Sequence, residues 1–136
     1  MAVNLTERLR EHPAKRFAAP VRVIDLEQSF DALLAEPHDG TDGHRQITIV
    51  HDNALTLVLF HFERDGSFPK HDVEGEVTLH VLDGELEVET ARQTDALGAG
   101  QIIVIGSGNT FSLRATQAAR MLMTVRLSRE ELREGL

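Results

Sequence analysis

Histidine and glutamate side chains are concentrated in the middle of the sequence, where their spacing permits a metal site. The residues concerned are His61, His71, Glu74, Glu76 and His80. Imidazole nitrogens and carboxylate oxygens are ligands that transition metals accept in proteins. His61 and His71 on adjacent strands, with Glu74 or Glu76 supplying oxygen, would form such a site.

Side-chain alternation argues against two of these histidines as ligands. If Val77 faces the interior of a barrel, His80 faces outward, because successive side chains of a strand point to opposite faces. His61 lies in the stretch ALTLVLFHF, which is apolar on both faces, so we expect this strand to be buried on both sides. A histidine there is more often a hydrogen-bonded core or interface residue than a ligand.

The composition excludes several classes of function. The 136 residues suffice for one domain, and the absence of cysteine excludes disulfides and thiolate metal ligands. With a net charge of −8 and no Trp or Tyr, the chain lacks the basic surface and the stacking platforms that nucleic-acid binding needs. We find neither a signal peptide nor an apolar run long enough to span a membrane, and we expect a cytoplasmic protein.

Residues 1–44 are predicted to form helical and extended segments in front of the main fold. One short helix is predicted over LTERLRE after Asn4. A second is predicted from Asp25, a good N-cap with Gln28 three residues on, ahead of helically spaced apolar residues. VRVI, at residues 21–24, is predicted to be a short strand, and residues 38–44 a polar loop.

Residues 45–128 show a succession of short strands. QITIVH and ALTLVLFHFER are predicted to form one hairpin, and GEVTLHVL and ELEVET flank Asp83-Gly84, the strongest hairpin signal in the chain. QIIVI, TFSLRA and ARMLMTVRL follow. This pattern predicts an all-β barrel or sandwich, with a short C-terminal helix over residues 129–136.

A strand–turn–strand frame in this region resembles the first motif of the cupins. That motif is G, five residues, H-x-H, three or four residues, E, six residues, G. Gly66 precedes His71 with one residue too few, and His71 fills the first ligand place. Val73 takes the second histidine place and, counting back from Gly84, Val77 takes the glutamate place.

The second cupin motif has a similar counterpart. It is G, five residues, P-x-G, two residues, H, three residues, N. Gly100 and residues 106–108 fit it, with glycine in place of the proline. Phe111 takes the histidine place and Ala115 the asparagine place.

The resemblance implies a cupin jelly-roll barrel of the RmlC-like type, in which three histidines and one glutamate bind a metal ion. Only His71 remains of these four ligands, since the side chains of Val73, Val77 and Phe111 have no lone pairs to donate. We therefore predict no metal and no other cofactor. The expected pocket is apolar, is lined by these four residues and His61, and takes a small apolar ligand with His71 as the polar contact.

Other interpretations stay open at this stage. The barrel could be a repacked core with a structural role only. It could be a metal-dependent enzyme of the dioxygenase or isomerase type with displaced ligands. It could also be a metal-free enzyme resembling sugar epimerases, in which His71 and an acid from another strand act as a general base.

A homodimer is also expected. Residues 60–62 (FHF) and 121–123 (MLM) are apolar on both faces, and Met side chains are enriched at interface cores. The predicted strand at residues 21–24 needs a sheet edge, which a partner could provide. The competing explanation is that the helix over residues 26–36 covers these strands within the same chain.

Overall fold

The computed structural model describes residues 21–37 and 40–127. One helix and nine strands lie within these ranges. They are α1 (Leu26–Leu34), β1 (His44–His51), β2 (Leu55–Phe62), β3 (Ser67–Asp72), β4 (Glu76–Asp83), β5 (Glu85–Thr90), β6 (Thr94–Gly98), β7 (Ile102–Ile105), β8 (Thr110–Ala115) and β9 (Ala119–Arg126). The predicted all-β class is confirmed, while the helices predicted after Asn4 and over residues 129–136 lie outside the described residues.

The strands form two antiparallel sheets that pack face to face. The larger sheet has the order β1-β2-β9-β4-β7, and the smaller sheet has the order β3-β8-β5-β6. Only the connections β1–β2 and β5–β6 join strands of one sheet, and every other connection crosses between the sheets. This alternation is the double-sheet jelly roll.

The core fills the space between the two sheets. Along β4 the side chains of Val77, Leu79 and Val81 are buried, and the intervening ones are not, as the period of two requires. The inward-facing residues of the core include Val58, Phe60, Phe62, Val73, Val77, Leu79, Val81, Leu86, Val88, Phe111, Leu113, Met121 and Met123.

Helix α1 covers part of the outer face of the larger sheet. It begins after Asp25, whose side chain accepts a hydrogen bond of 3.0 Å from a backbone N–H of the first turn, as an N-cap residue does. Phe30 and Leu33 are buried against Ile47 of β1 and Leu59 of β2. The predicted N-cap and helix are therefore confirmed.

This helix explains the two-sided apolar strands without a partner. Phe60 and Phe62 of β2 face the barrel interior, whereas Leu59 between them faces α1. In β9, Met123 faces the interior and Leu122 packs against the cluster beneath the helix. The competing explanation given above thus accounts for both stretches, and the homodimer stays a prediction that needs another basis.

The strand predicted at residues 21–24 is wrong. These residues form no strand, and the side chains of Val21 and Val23 are exposed. Arg22 forms an ion pair with Asp52 in the turn between β1 and β2. Alternating apolar residues favour a strand only where a sheet edge is available to satisfy the backbone groups, and no described strand pairs with this segment.

The hairpin predicted across Asp83-Gly84 is also wrong. β4 and β5 lie in different sheets, so the chain turns a corner at Gly84 instead of folding back on itself. Gly84 has φ +81°, and a Cβ at this position would lie 2.1 Å from the carbonyl oxygen of Ala118. Glycine is required here because another segment of backbone approaches closely. The sequence Asp-Gly looks the same whether the glycine serves such a close contact or a hairpin turn.

Two observed strands have weak signals in the sequence. β3 contains Pro69, which disfavours a central strand but is tolerated here because β3 is at a sheet edge and its register shifts between Phe68 and His71. β6 is only five residues long. The predicted loop over residues 38–44 is too long at its end, since His44 already belongs to β1.

Within the described ranges, no helix has the length and apolar character needed to cross a membrane.

Candidate functional site

The four positions that the resemblance assigns to metal ligands do come together in the fold. His71 on β3 and Phe111 on β8 are directly opposite in register, with ring centroids 5.8 Å apart. Val73 follows β3 and is tied to the loop before β8 by a hydrogen bond of 2.9 Å from its N–H to the carbonyl of Asn109. Val73, Val77 and Phe111 are all buried in the one core cluster of the barrel.

Aromatic rings fill the barrel beside this point. Phe111 stacks on Phe68 with ring centroids 6.0 Å apart, and Phe68 meets Phe60 edge-on at 5.2 Å. Phe60 in turn stacks on Phe62 at 5.8 Å. These spacings are those of favourable aromatic pairs. The interior around Phe111 is therefore a packed apolar core, which leaves any ligand site to the opening of the barrel.

An open groove of about 500 Å³ lies at that opening, and we call it the mouth groove. It is lined by an apolar floor and a polar rim. The floor consists of Val77, Met123, Val125 and Leu127, and the rim of Lys70, His71, Asp72 and Glu74. His71 and Val77 are thus shared between the predicted pocket and the observed groove.

The imidazole of His71 is the polar group best placed to meet a ligand. The side chain is exposed on the barrel rim and rests against two rings, Phe68 at 5.6 Å and Phe111 at 5.8 Å between centroids. These contacts restrict the ring while its exposed side stays available to donate or accept a hydrogen bond. Within the described part of the chain, no carboxylate is hydrogen-bonded to His71.

The residues at the site do not fit a cupin metal ion. Three of the four ligand positions hold Val73, Val77 and Phe111, which have no donor atoms, and one imidazole is too few for a structural or catalytic site. Across residues 21–37 and 40–127, no group of three or more His, Cys, Asp or Glu side chains is arranged to hold a metal ion.

His61 lies on the other side of the larger sheet from this site. In register it sits between Arg45 of β1 and Arg120 of β9, on the outer face that α1 flanks. Burial lowers the pKa of His61; Arg120 and Arg45 add to the lowering, and Glu63 opposes it. The structure therefore does not bring His61 together with His71, Val73, Val77 and Phe111.

The remaining residues of the displaced metal site are also dispersed. Glu74 lines the mouth groove, but Glu76 forms an ion pair with Arg126. His80 is opposite Leu122 in register, on the outer face of β4, as its alternation with Val77 predicts. A set drawn from His61, His71 and these glutamates is not assembled in the fold.

His44 is a buried polar residue that the sequence analysis did not single out. Its ring lies among Phe60, Phe62 and Phe68, with centroids 5.5 to 5.7 Å away. Nδ1 is 2.8 Å from the carbonyl oxygen of Ser67, and Nε2 is 3.0 Å from the side-chain Oε1 of Gln46. Its polar sequence neighbourhood, HDGTDGH, gives no sign of this burial.

The floor of the mouth groove was likewise not foreseen. Met123 and Val125 alternate along β9 on the face that turns inward, and Leu127 follows the strand. The alternation in ARMLMTVRL is visible in the sequence. That these residues share a groove with His71, however, depends on the place of β9 between β2 and β4 in the larger sheet.

Comparisons with known proteins identify the fold. No protein-family model matches the sequence, and no curated protein matches it. A conserved Streptococcus pyogenes protein of unknown function, SPY1581, is 25% identical with a TM-score of 0.64, over 79% of this chain and 88% of that one.

Two other solved structures similar to this chain are named as cupins. An RmlC-like cupin from Shewanella frigidimarina is 17% identical with a TM-score of 0.61, over 68% of this chain and 83% of that one. A cupin superfamily protein from Desulfitobacterium hafniense is 15% identical with a TM-score of 0.62, over 70% of this chain and 85% of that one. The protein therefore has the cupin fold, as the resemblance implied.

Proposed function

We propose that the protein is a metal-free cupin-type domain that binds a small, largely apolar molecule in the mouth groove, with His71 as the polar contact. The observation that carries the proposal is the composition of the groove. An apolar floor of Val77, Met123, Val125 and Leu127 lies beside a single restrained imidazole. A few polar groups above an apolar surface are the usual composition of a small-molecule site.

The size of the groove supports the same conclusion. Its volume of about 500 Å³ lies within the range of roughly 300–1,000 Å³ that is common for ligand sites. The groove is open to solvent, so the bound molecule would enter without rearrangement of the barrel. Lys70, Asp72 and Glu74 on the rim carry charges of both signs and would select against a ligand with a large net charge.

The alternatives have less support in the geometry. A metal-dependent enzyme would need ligands that the site lacks, since His71 is alone among the four positions. An epimerase-like reaction would need an acid paired with His71, and Asp72 and Glu74 line the same groove without a hydrogen bond to it. A structural role without a ligand would leave the groove without a use, and the experiment below distinguishes it.

Methyl NMR of methionine provides a test with an internal control. The chain has three methionines, and of these Met123 lines the groove while Met121 is fully buried in the core. In protein labelled at the methionine methyl groups, a library of small alcohols, amides and carboxylic acids with apolar bodies would be screened. We expect compounds that shift Met123 and leave Met121 unchanged.

Two variants make the test specific to the proposed contact. His71→Ala should weaken binding of such a compound about tenfold, which corresponds to one lost hydrogen bond of roughly 1.4 kcal/mol. His51→Ala, at an exposed histidine of β1 outside the groove, should leave binding unchanged. Binding that His71→Ala does not weaken, or a screen in which no compound shifts Met123, would show that the proposal is wrong.

A further inference from the structure

A second cavity lies outside the barrel, beside the C-terminal end of α1, and we call it the helix-end cavity. Its volume is about 310 Å³, at the lower end of the range of roughly 300–1,000 Å³ that is common for ligand sites. Among the residues that line it are Leu34, Gly40, Arg45, His61 and Glu63. It shares no lining residue with the mouth groove, so a molecule bound here would occupy a separate site.

Arg45 of β1 is a half-buried arginine that forms no ion pair with a carboxylate of the described residues. Its Nη1 donates to the backbone carbonyls of Leu33 and Glu36, at 3.4 and 3.1 Å, where α1 ends. These bonds hold the guanidinium in place. A guanidinium has five N–H donors, so the other nitrogens of Arg45 remain able to bind an anion. Four other arginines form ion pairs, namely Arg22, Arg114, Arg120 and Arg126.

His61 and Glu63 complete the polar part of the cavity. His61 is directly opposite Arg45 in register. Burial, with the charges of Arg120 and Arg45, lowers the pKa of His61, so near neutral pH its ring is uncharged and can donate one N–H. Glu63 brings a carboxylate to the same cavity, and no ion pair joins it to Arg45 or to another described residue. The cavity therefore holds one positive and one negative side chain that do not neutralise each other by contact.

The remaining lining is apolar or has no side chain. Leu34 of α1 is 48% exposed and lines the cavity. A Cβ at Gly40 would lie 2.3 Å from the carbonyl oxygen of His44 and 2.9 Å from Cγ of Arg45. Glycine thus lets the turn before β1 approach Arg45 closely without filling the space beside it. The space available fits a small molecule with a short apolar part.

We propose that the helix-end cavity binds a free α-amino acid with a small apolar side chain. The carboxylate of the ligand accepts hydrogen bonds from Arg45 and His61, its ammonium group pairs with Glu63, and its side chain packs against Leu34. A guanidinium and a carboxylate at one cavity are complementary to a zwitterion. A ligand with only one of the two charges would leave the opposite protein charge desolvated without a partner, which is unfavourable.

Calorimetric titration with three related compounds tests the two charges of the ligand separately. L-leucine carries both charges, isocaproate has the same carbon skeleton without the ammonium group, and isopentylamine lacks the carboxylate. Near neutral pH, L-leucine should bind at least about tenfold more tightly than either analogue, because each analogue loses a charge-assisted contact. Absence of L-leucine binding, or equal affinity for L-leucine and isocaproate, would overturn the proposal.

Variants assign each charge of the ligand to a side chain. Glu63→Gln should weaken L-leucine binding about tenfold and leave isocaproate binding unchanged. Arg45→Gln should weaken both L-leucine and isocaproate. Since Arg45 also holds the end of α1, Arg45→Lys is the second variant; it keeps the charge but not the planar fork, and should weaken both compounds less. Glu87→Gln, on β5 of the smaller sheet, is the matched control for Glu63→Gln and should bind like the wild type.

NMR locates the bound amino acid and separates this site from the mouth groove. L-leucine should shift the ring signals of His61, which the variant His61→Gln identifies, and should leave the methyl signal of Met123 in the mouth groove unchanged. A shift of Met123 without one of His61 would place L-leucine in the mouth groove and overturn the proposal. Binding of L-leucine that Glu63→Gln and the Arg45 variants do not weaken would overturn it as well.

Discussion

Phe111 shows at the scale of one residue how the site differs from a metal centre. The resemblance places a metal-binding histidine here, and the structure places a ring that is 1% exposed. That ring stacks on Phe68 and meets His71 at its edge. An imidazole in the same place would bury polar nitrogens among these rings, which is costly unless they are hydrogen-bonded. Phe111 thus stabilises the barrel by packing.

We predict that Phe111→Ala destabilises the protein strongly. Truncation of a buried Phe removes apolar contacts and leaves a cavity, at a cost of about 3–5 kcal/mol. Urea unfolding would measure the loss of free energy. Phe111→Leu should cost clearly less, because it leaves a smaller cavity. A cost near zero for Phe111→Ala would mean that the ring lines open space and that the interior is not filled.

His61 is a half-buried residue of β2 whose pKa is lowered in the folded protein. Burial is the main cause that lowers its pKa, and the neighbouring charges of Arg120 and Arg45 act in the same direction, while Glu63 acts against them. The protonated ring is thus less favourable in the folded protein than in the unfolded chain, whose histidine pKa is about 6.5.

This shift predicts a pH dependence of stability. Below about pH 6.5 the unfolded chain binds a proton at this histidine before the folded protein does, so the free energy of unfolding falls as the pH drops toward the lowered pKa. Above the pKa of the unfolded chain the ring is neutral in both states, so His61 does not lower the free energy of unfolding there. His61→Gln should reduce the loss of stability between about pH 8 and pH 5. Equal pH profiles for the two proteins would contradict the prediction.

At the scale of elements, helix α1 determines which faces of the larger sheet meet water. Its residues Phe30 and Leu33 are buried on β1 and β2, and Arg120 of β9 holds the helix from the side. The guanidinium of Arg120 pairs with Glu27 at 3.0 Å and lies 4.7 Å from the ring centre of Phe30. The helix is therefore part of the core packing and not an appendage.

Two neighbouring leucines of α1 provide a matched prediction. Leu33 is fully buried and Leu34 is 48% exposed. Leu33→Ala should cost about 2–5 kcal/mol of unfolding free energy, as truncations of core leucines do, whereas Leu34→Ala should cost well under half as much. Denaturant unfolding of both variants checks this. Similar costs for the two would show that the helix does not pack through the face described.

Local signals in the sequence predict the elements better than their connections. The N-cap at Asp25 and the alternation along β4 are local, and both are found in the structure. The turn at Gly84 has the same local signal as a hairpin, but contact with the distant carbonyl of Ala118 decides its conformation. Pro69 argues against a strand at β3 in the sequence, because a proline is acceptable only where the strand lies at a sheet edge.

The candidate site is predictable from the sequence to a similar extent. The motif frame correctly associates His71 with Phe111, because the frame fixes positions on strands that pair. It gives no information on Met123 and Val125, which reach the groove from β9 through the order of strands in the larger sheet. His61 was expected nearby because it is close in sequence, yet it lies on the opposite face of that sheet.

At the scale of the whole molecule, the outer faces of the two sheets have different characters. The smaller sheet presents polar residues such as Glu87 opposite Arg114 and Glu89 opposite Ser112, as a solvated face does. The larger sheet is covered by α1 over β1 and β2 and is apolar and exposed at β7. The homodimer expected from the sequence stays a prediction.

The metal content of the protein tests the central claim most directly. Protein purified without chelators and without a metal-affinity tag would be analysed for its elements, together with His71→Ala. Because Val73, Val77 and Phe111 supply no ligand beside His71, we predict well under one equivalent of Fe, Mn, Ni or Zn in both proteins. Near-stoichiometric metal in the wild type that is lost in His71→Ala would contradict the account and favour a displaced metal site.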